Sequence, residues 1–124
     1  MPEMKLRQIS YETDTWKRLL SFMMDENVRL KNRISEILDD KFNKQMLDQI
    51  EIFHGNFLKE DELIGLLRND VAEIEKLLHK EINEEEVIAE TEKKVRKLRN
   101  NIITADRQFS NLKLEFNNYL LENI

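Results

Sequence analysis

Residues 88–119 read IAETEKKVRKLRNNIITADRQFSNLKLEFNNY, and this stretch decides the fold. Within it Ile88, Thr91, Val95, Leu98, Ile102, Ala105, Phe109, Leu112, Phe116 and Tyr119 follow one another at spacings of three and four. Those spacings return a side chain to one face of an α-helix at every turn, and they run on for about five heptads. The pattern predicts one helix over about residues 84–122. Its start is marked as well. The first N–H groups of a helix lack partners within it. Here Asn83 supplies a cap, with Glu86 three positions on and Ile82 and Val87 around them. That is a capping box with a hydrophobic staple. Glu84, Glu85 and Glu86 complement the positive end of the helix dipole.

The middle of the chain repeats the design. Met46, Ile50, Phe53, Phe57, Glu60, Ile64, Leu67, Val71, Ile74 and Leu78 form a second seam. Phe42 and Leu47 staple its start around Asn43. A helix over about 44–81 is expected, unbroken because the seam keeps its phase. The alternative is a break between 54 and 62, where Gly55 and the run KEDE at 59–62 could end one helix and start another. A third seam, Trp16, Leu20, Met23, Asn27, Leu30, Ile34 and Ile37, predicts a helix ending near residue 38. Carried backwards it passes through Thr13, Ile9 and Leu6, with Pro2 suited to a first turn. The segment SYETDT at 10–15 is a poor helix former, rich in capping residues. The helix therefore starts near 13 or near 3.

Connections at 39–43 and 82–84 are short and force antiparallel neighbours. The expected fold is all-α: one domain over residues 1–124, an up-down-up bundle of three long heptad-patterned helices, coiled-coil-like in its seams. In size and layout it resembles a spectrin-like repeat, by architecture. Were the first helix to start near 13, one end of the hairpin would stay two-helical and favour a dimer.

Composition bounds the function. Two Gly and one Pro in 124 residues leave little room for loops or β-turns. A net charge of −5 repels phosphate backbones and argues against nucleic acid as a partner. The absence of cysteine excludes disulfides, thiol catalysis and Cys-bound metal, and suits a cytoplasmic location. No apolar leader opens the sequence. LLSFMM, its longest apolar run, is far below the roughly 20 residues of a membrane span, so no membrane association is expected.

Few residues point to chemistry. Glu51 and His54 have the Glu-x-x-His spacing of carboxylate-bridged di-iron bundles. Such sites need a second motif, and His79 has Lys76 in place of the glutamate. Glu60 lies in a seam, and counting from a turn at Asn83 puts it beside Ala105. Asn27 also interrupts an apolar row. Counting from the 39–43 turn puts it opposite Gly55, with His54 as its first candidate partner and Asn111 and Leu112 at the same level. Asn27, His54 and Glu60 are thus the candidate buried polar residues that set register. The basic run KKVRKLR at 93–99 lacks aromatic interleaving, and Asp70 and Glu73 should face it. Trp16, Tyr119 and the phenylalanines fall mostly on seams and read as core.

Phe22, Val28, Ile52, Leu58, Leu66, Ile103, Leu114 and Leu121 are apolar outside the seams. The first four lie at similar heights, and if they share a side they form an interaction surface. The expected function is therefore non-catalytic: contact with a protein partner or with itself, a homodimer included, with no cofactor and no metal. The alternative is a metal- or small-ligand-binding bundle built around His54 and Glu60.

Overall fold

A computed structural model describes residues 2–40, 44–79 and 85–124. They form three helices, α1 (Pro2–Asp39), α2 (Lys44–His79) and α3 (Glu85–Asn123). At 1.5 Å per residue each is about 54–59 Å long. The fold is an all-α three-helix bundle. The turns, with the Asn43 and Asn83 caps and the Phe42 and Ile82 staple residues, lie outside the described residues.

One apolar core runs the length of the bundle, from Ile9 to Leu120. The three predicted seams supply it. Phe53, Phe57 and Phe116 form its aromatic centre, with Phe116 edge-on to both phenylalanines at centroid distances of 5.1 and 5.2 Å. Tyr119 tilts against Phe53 at 5.5 Å. At the end of α3 the structure departs from the seam: Leu120 is buried while Tyr119 is half-buried. The phenol oxygen needs a polar surrounding, so the smaller apolar neighbour takes the interior place.

α1 starts at Pro2, so its first turns belong to the bundle. Ile9 and Thr13 are buried there. The capping-type residues of SYETDT do not cap. Thr13 Oγ1 donates to the Ser10 carbonyl at 2.9 Å, and Thr15 Oγ1 donates to the Tyr11 carbonyl at 3.1 Å. Both hydroxyls turn back on the helix that carries them. The two-helical end, and the dimer argument built on it, therefore have no basis. α2 is also unbroken through 54–62. Phe53, Phe57, Glu60 and Ile64 all face inward across that region, and burial of three large apolar side chains outweighs the roughly 1 kcal/mol cost of each helical glycine.

Cross-helix pairs fix the directions. Lys17–Glu75 and Lys31–Asp61 run in opposite senses along α1 and α2, which are antiparallel. Lys5–Glu92, Glu12–Arg99 and Glu26–Lys113 hold one constant offset, 87 residues, so α1 and α3 are parallel. α2 packs closely on both neighbours, whereas α1 and α3 touch each other least. The bundle is thus most open along its α1–α3 side.

Candidate functional site

Two places stand apart from ordinary core and ordinary solvated surface. The first is a polar group at mid-bundle. Asn27 is fully buried. Its Nδ2 donates to the Phe57 carbonyl at 2.9 Å and also to Asp61 Oδ1. Lys31 Nζ donates to the other Asp61 oxygen. This Asn27–Asp61–Lys31 chain ties α1 to α2. The expected partner, His54, is exposed and takes no part. Asn27 instead meets α2 about one turn further on. Side chains lean toward the N-terminus of their own helix. In an antiparallel pair that lean carries Asn27 toward higher numbers on α2 and Asp61 toward the C-terminal part of α1, so the two meet.

Glu60 is buried as the sequence pattern implies, between Phe57 and Ile64 in the seam. Burial raises its pKa above the ordinary 4.5. Its Oε2 and the Asn27 Oδ1 are buried acceptors with no hydrogen-bond partner among the described residues. A neutral Glu60 carries a donor where a charged one carries none. His54 and Glu60 do not converge: one is exposed and the other is in the core. Glu51 is exposed as well. Among the described residues no group of three His, Cys, Asp or Glu is placed to hold a metal ion.

The basic run divides between two sides of α3. Lys94 and Lys97 border a groove with Asp70 and Glu73, the acids expected there. Arg99 forms a two-pronged pair with Glu12, Nε to Oε1 at 3.1 Å and Nη2 to Oε2 at 2.7 Å. Arg96 reaches Glu92 at 3.7 Å. Lys5 also bonds Glu92 and holds its carboxyl below the usual value. Sequence reasoning missed these α1 partners. The signal that could have found them is the constant offset between parallel helices.

The second place is the α1–α3 side. Phe22, Val28, Ile52 and Leu58 are all exposed, but they do not share one side. Phe22 lies under Lys113 of α3, with Nζ 5.8 Å from the ring centroid. Val28 falls between Met24 and Lys31, whose partners Arg68 and Asp61 are on α2. Leu58 precedes Asp61 by one turn and borders the same α1–α2 side. Ile52 precedes Asp70 by five whole turns, on the flank of α2 that faces α3.

A different set does line up. Met4, Tyr11 and Phe22 on α1 are spaced by seven and eleven residues, and Ile103, Leu114 and Leu121 on α3 by eleven and seven. Both spacings are close to whole numbers of turns, so each trio forms one row. All six are exposed, from 49% at Ile103 to 84% at Leu121. The rows are staggered: at the 87-residue offset Ile103 stands level with residue 16 of α1, and a groove of about 410 Å³ near the N-terminal end of α1 lies beside the α1 row alone, with Ile9 and Val95 among its lining and Met4 and Arg96 beside them. Met4 and Tyr11 escaped the sequence reading, although their spacing to Phe22 was there to find. No helix of the described residues is long and apolar enough to cross a membrane. Comparison with known proteins finds no matching family model, no similar curated protein and no similar solved structure.

Proposed function

We propose that this is a non-catalytic helical-bundle protein that acts through protein–protein contact, as a homo-oligomer or as a module that binds a partner. One observation carries the reading: exposed apolar side chains lie on both helices that border the α1–α3 side, Met4, Tyr11 and Phe22 on α1 and, further along the bundle, Ile103, Leu114 and Leu121 on α3. Scattered exposed apolar residues are ordinary, whereas contiguous ones rimmed by charge mark interaction surfaces. Aromatic, Met and Arg side chains are the types enriched at such interfaces, and Met4, Tyr11, Phe22, Arg96 and Arg107 are of those types. Glu12, Glu26 and Glu92 sit on the same side, which suits a protein surface better than a phosphate backbone. The cysteine-free chain suits the cytoplasm.

The test uses the full chain and a Phe22→Glu/Leu114→Glu variant, checked for an unchanged helical spectrum. Sedimentation velocity reads self-association. Retrieval from an extract of the native organism, at the same salt, reads partners. The wild type should assemble or carry a stoichiometric companion, and the variant should lose it. A wild type that stays monomeric and retains no stoichiometric protein retires the reading.

A further inference from the structure

Two buried side-chain oxygens are left without a hydrogen-bond partner among the described residues, Asn27 Oδ1 and Glu60 Oε2. The residues are 0% and 9% exposed, so water does not readily satisfy either atom. They also stand at one level of the bundle. The Asn27 amide nitrogen is held by the Phe57 carbonyl and by Asp61, and Glu60 lies between those two residues on α2. Asn27 and Glu60 are both seam residues, so both turn toward the axis that the three helices share. A helical side chain leans toward the N-terminus of its own helix. That lean carries the Glu60 carboxyl back over the Phe57 turn, against which Asn27 rests.

Two bare acceptors at close quarters repel, and one proton between them satisfies both. Asn27 cannot supply it: an amide donates only through its nitrogen, and Nδ2 is engaged at Phe57 and Asp61. A neutral Glu60 can. No neighbouring charge takes that place. On α1, Lys31 is bonded to Asp61, and Glu26 to Lys113 and Arg29. The contacts of Phe116 with Phe53 and Phe57 set Glu60 level with the Phe109–Lys113 turn of α3. The charged residues around that turn are Asp106, Arg107, Lys113 and Glu115, and none of them bonds Glu60 among the described residues. On α2 itself Asp61 is taken up by Lys31 and Asn27, and Lys59 and Glu62 are exposed. What acts on Glu60 is burial, which raises its pKa above 4.5 and favours the neutral form.

We propose that Asn27 and Glu60 form a proton-operated clasp between α1 and α2: the neutral Glu60 carboxyl donates its O–H to Asn27 Oδ1, and ionisation opens that link. Closed, the clasp extends the Lys31–Asp61–Asn27 chain into the core and leaves neither oxygen orphaned. Open, a carboxylate and an amide oxygen face each other as acceptors. The Asn27 side chain then holds α2 through Phe57 and Asp61 alone. Glu60 keeps its proton below its raised folded pKa and loses it as pH rises through that value, so the clasp is closed in acid and opens on the neutral side.

A carbon-13 NMR titration of the full chain tests this by following Glu60 Cδ and Asn27 Cγ from acid to neutral pH. The two resonances should move together, with one shared midpoint above 4.5. In Glu60→Gln, which offers a donor at every pH, Asn27 Cγ should stay flat across that range. In Asp61→Asn the shared titration should persist, because Asp61 meets Asn27 through Nδ2 and not through Oδ1. Circular dichroism confirms the fold of each variant, and the wild-type titration is decisive by itself if either fails to fold. An Asn27 resonance that stays still while Glu60 titrates overturns the clasp. An Asn27 response that survives Glu60→Gln and vanishes in Asp61→Asn also overturns it, since it reports the Asp61 carboxylate instead.

Discussion

Asn27 shows how one polar residue can sit in an apolar row. Its amide nitrogen has two acceptors on α2, but its oxygen has none among the described residues. Leucine has the same number of side-chain heavy atoms. After Asn27→Leu the Phe57 carbonyl keeps its helical hydrogen bond, and Asp61 keeps Lys31. Two hydrogen bonds at about 1 kcal/mol each are lost, against an orphan acceptor costing about 1–3 kcal/mol and about 1.5–3 kcal/mol of new apolar burial. The net should be stabilising by about 1 kcal/mol, a rise in Tm of about 3–5 °C. The same change removes a marker that disfavours slipped registers, so the oligomer distribution in sedimentation should broaden. A lower Tm with unchanged assembly would mean that the two bonds outweigh the row. Glu60 supplies a pH test. Its folded pKa lies above its unfolded one because burial penalises the charge. The folded state therefore holds the proton more tightly, and Glu60 reduces stability as pH rises above about 4.5 and toward its raised pKa. Glu60→Gln should remove that part of the pH dependence and raise Tm at pH 7. Urea midpoints across the acid range read it; a slope unchanged by the substitution would sink the assignment.

At the scale of the helix, periodicity was legible because the same three-and-four spacing both forms a helix and buries it. The three seams named nearly every core residue, including the polar Glu60 and Asn27. Helix starts and cross-helix levels were less legible. SYETDT reads as a stop because its hydroxyls can leave the helix; only the partner that buries Thr13 and Ile9 decides that they bond inward. The partner of Asn27 depends on the lean of side chains across an antiparallel pair, which spacing along one helix does not contain. Outward rows were hidden because each residue alone looks like scatter; the α1–α3 side appears only once two parallel helices are set side by side. The glycines of α2 make a prediction at this scale. Neither has a positive φ, and a Cβ at Gly55 or Gly65 meets nothing within 4 Å. Gly→Ala at each should raise stability by about 1 kcal/mol. The sites are ten residues apart, about 15 Å along the helix, so the double variant should add the two gains. Thermal unfolding at low protein concentration measures this. A loss at either position would mean that the helix needs a bend there.

For the whole molecule, a single core means a single unfolding event. The interior runs without interruption from Ile9 to Leu120, and each helix contributes to it along most of its length. No helix can leave without exposing the seams of the other two. An isolated helix of this length is marginal in water, and its stability comes from burial. The chain should therefore unfold in two states despite its elongated shape. The Trp16 side chain offers a local probe, since it is the one tryptophan and lies in the core toward the N-terminal half of α1. That half is also where α1 and α3 flank the open groove, so it is the part with most cause to loosen early. Trp16 fluorescence and far-UV circular dichroism should still trace one transition, at a protein concentration too low for assembly. Calorimetry should give an unfolding enthalpy of ~85 kcal/mol near 60 °C, at about 0.7 kcal/mol per residue, equal to the van't Hoff value. A fluorescence change that precedes the loss of helix would show α1 fraying from the α2–α3 hairpin as a separate unit. In that case the α1–α3 side would be a hinge, and exposed apolar residues on its two helices would not hold a fixed spacing.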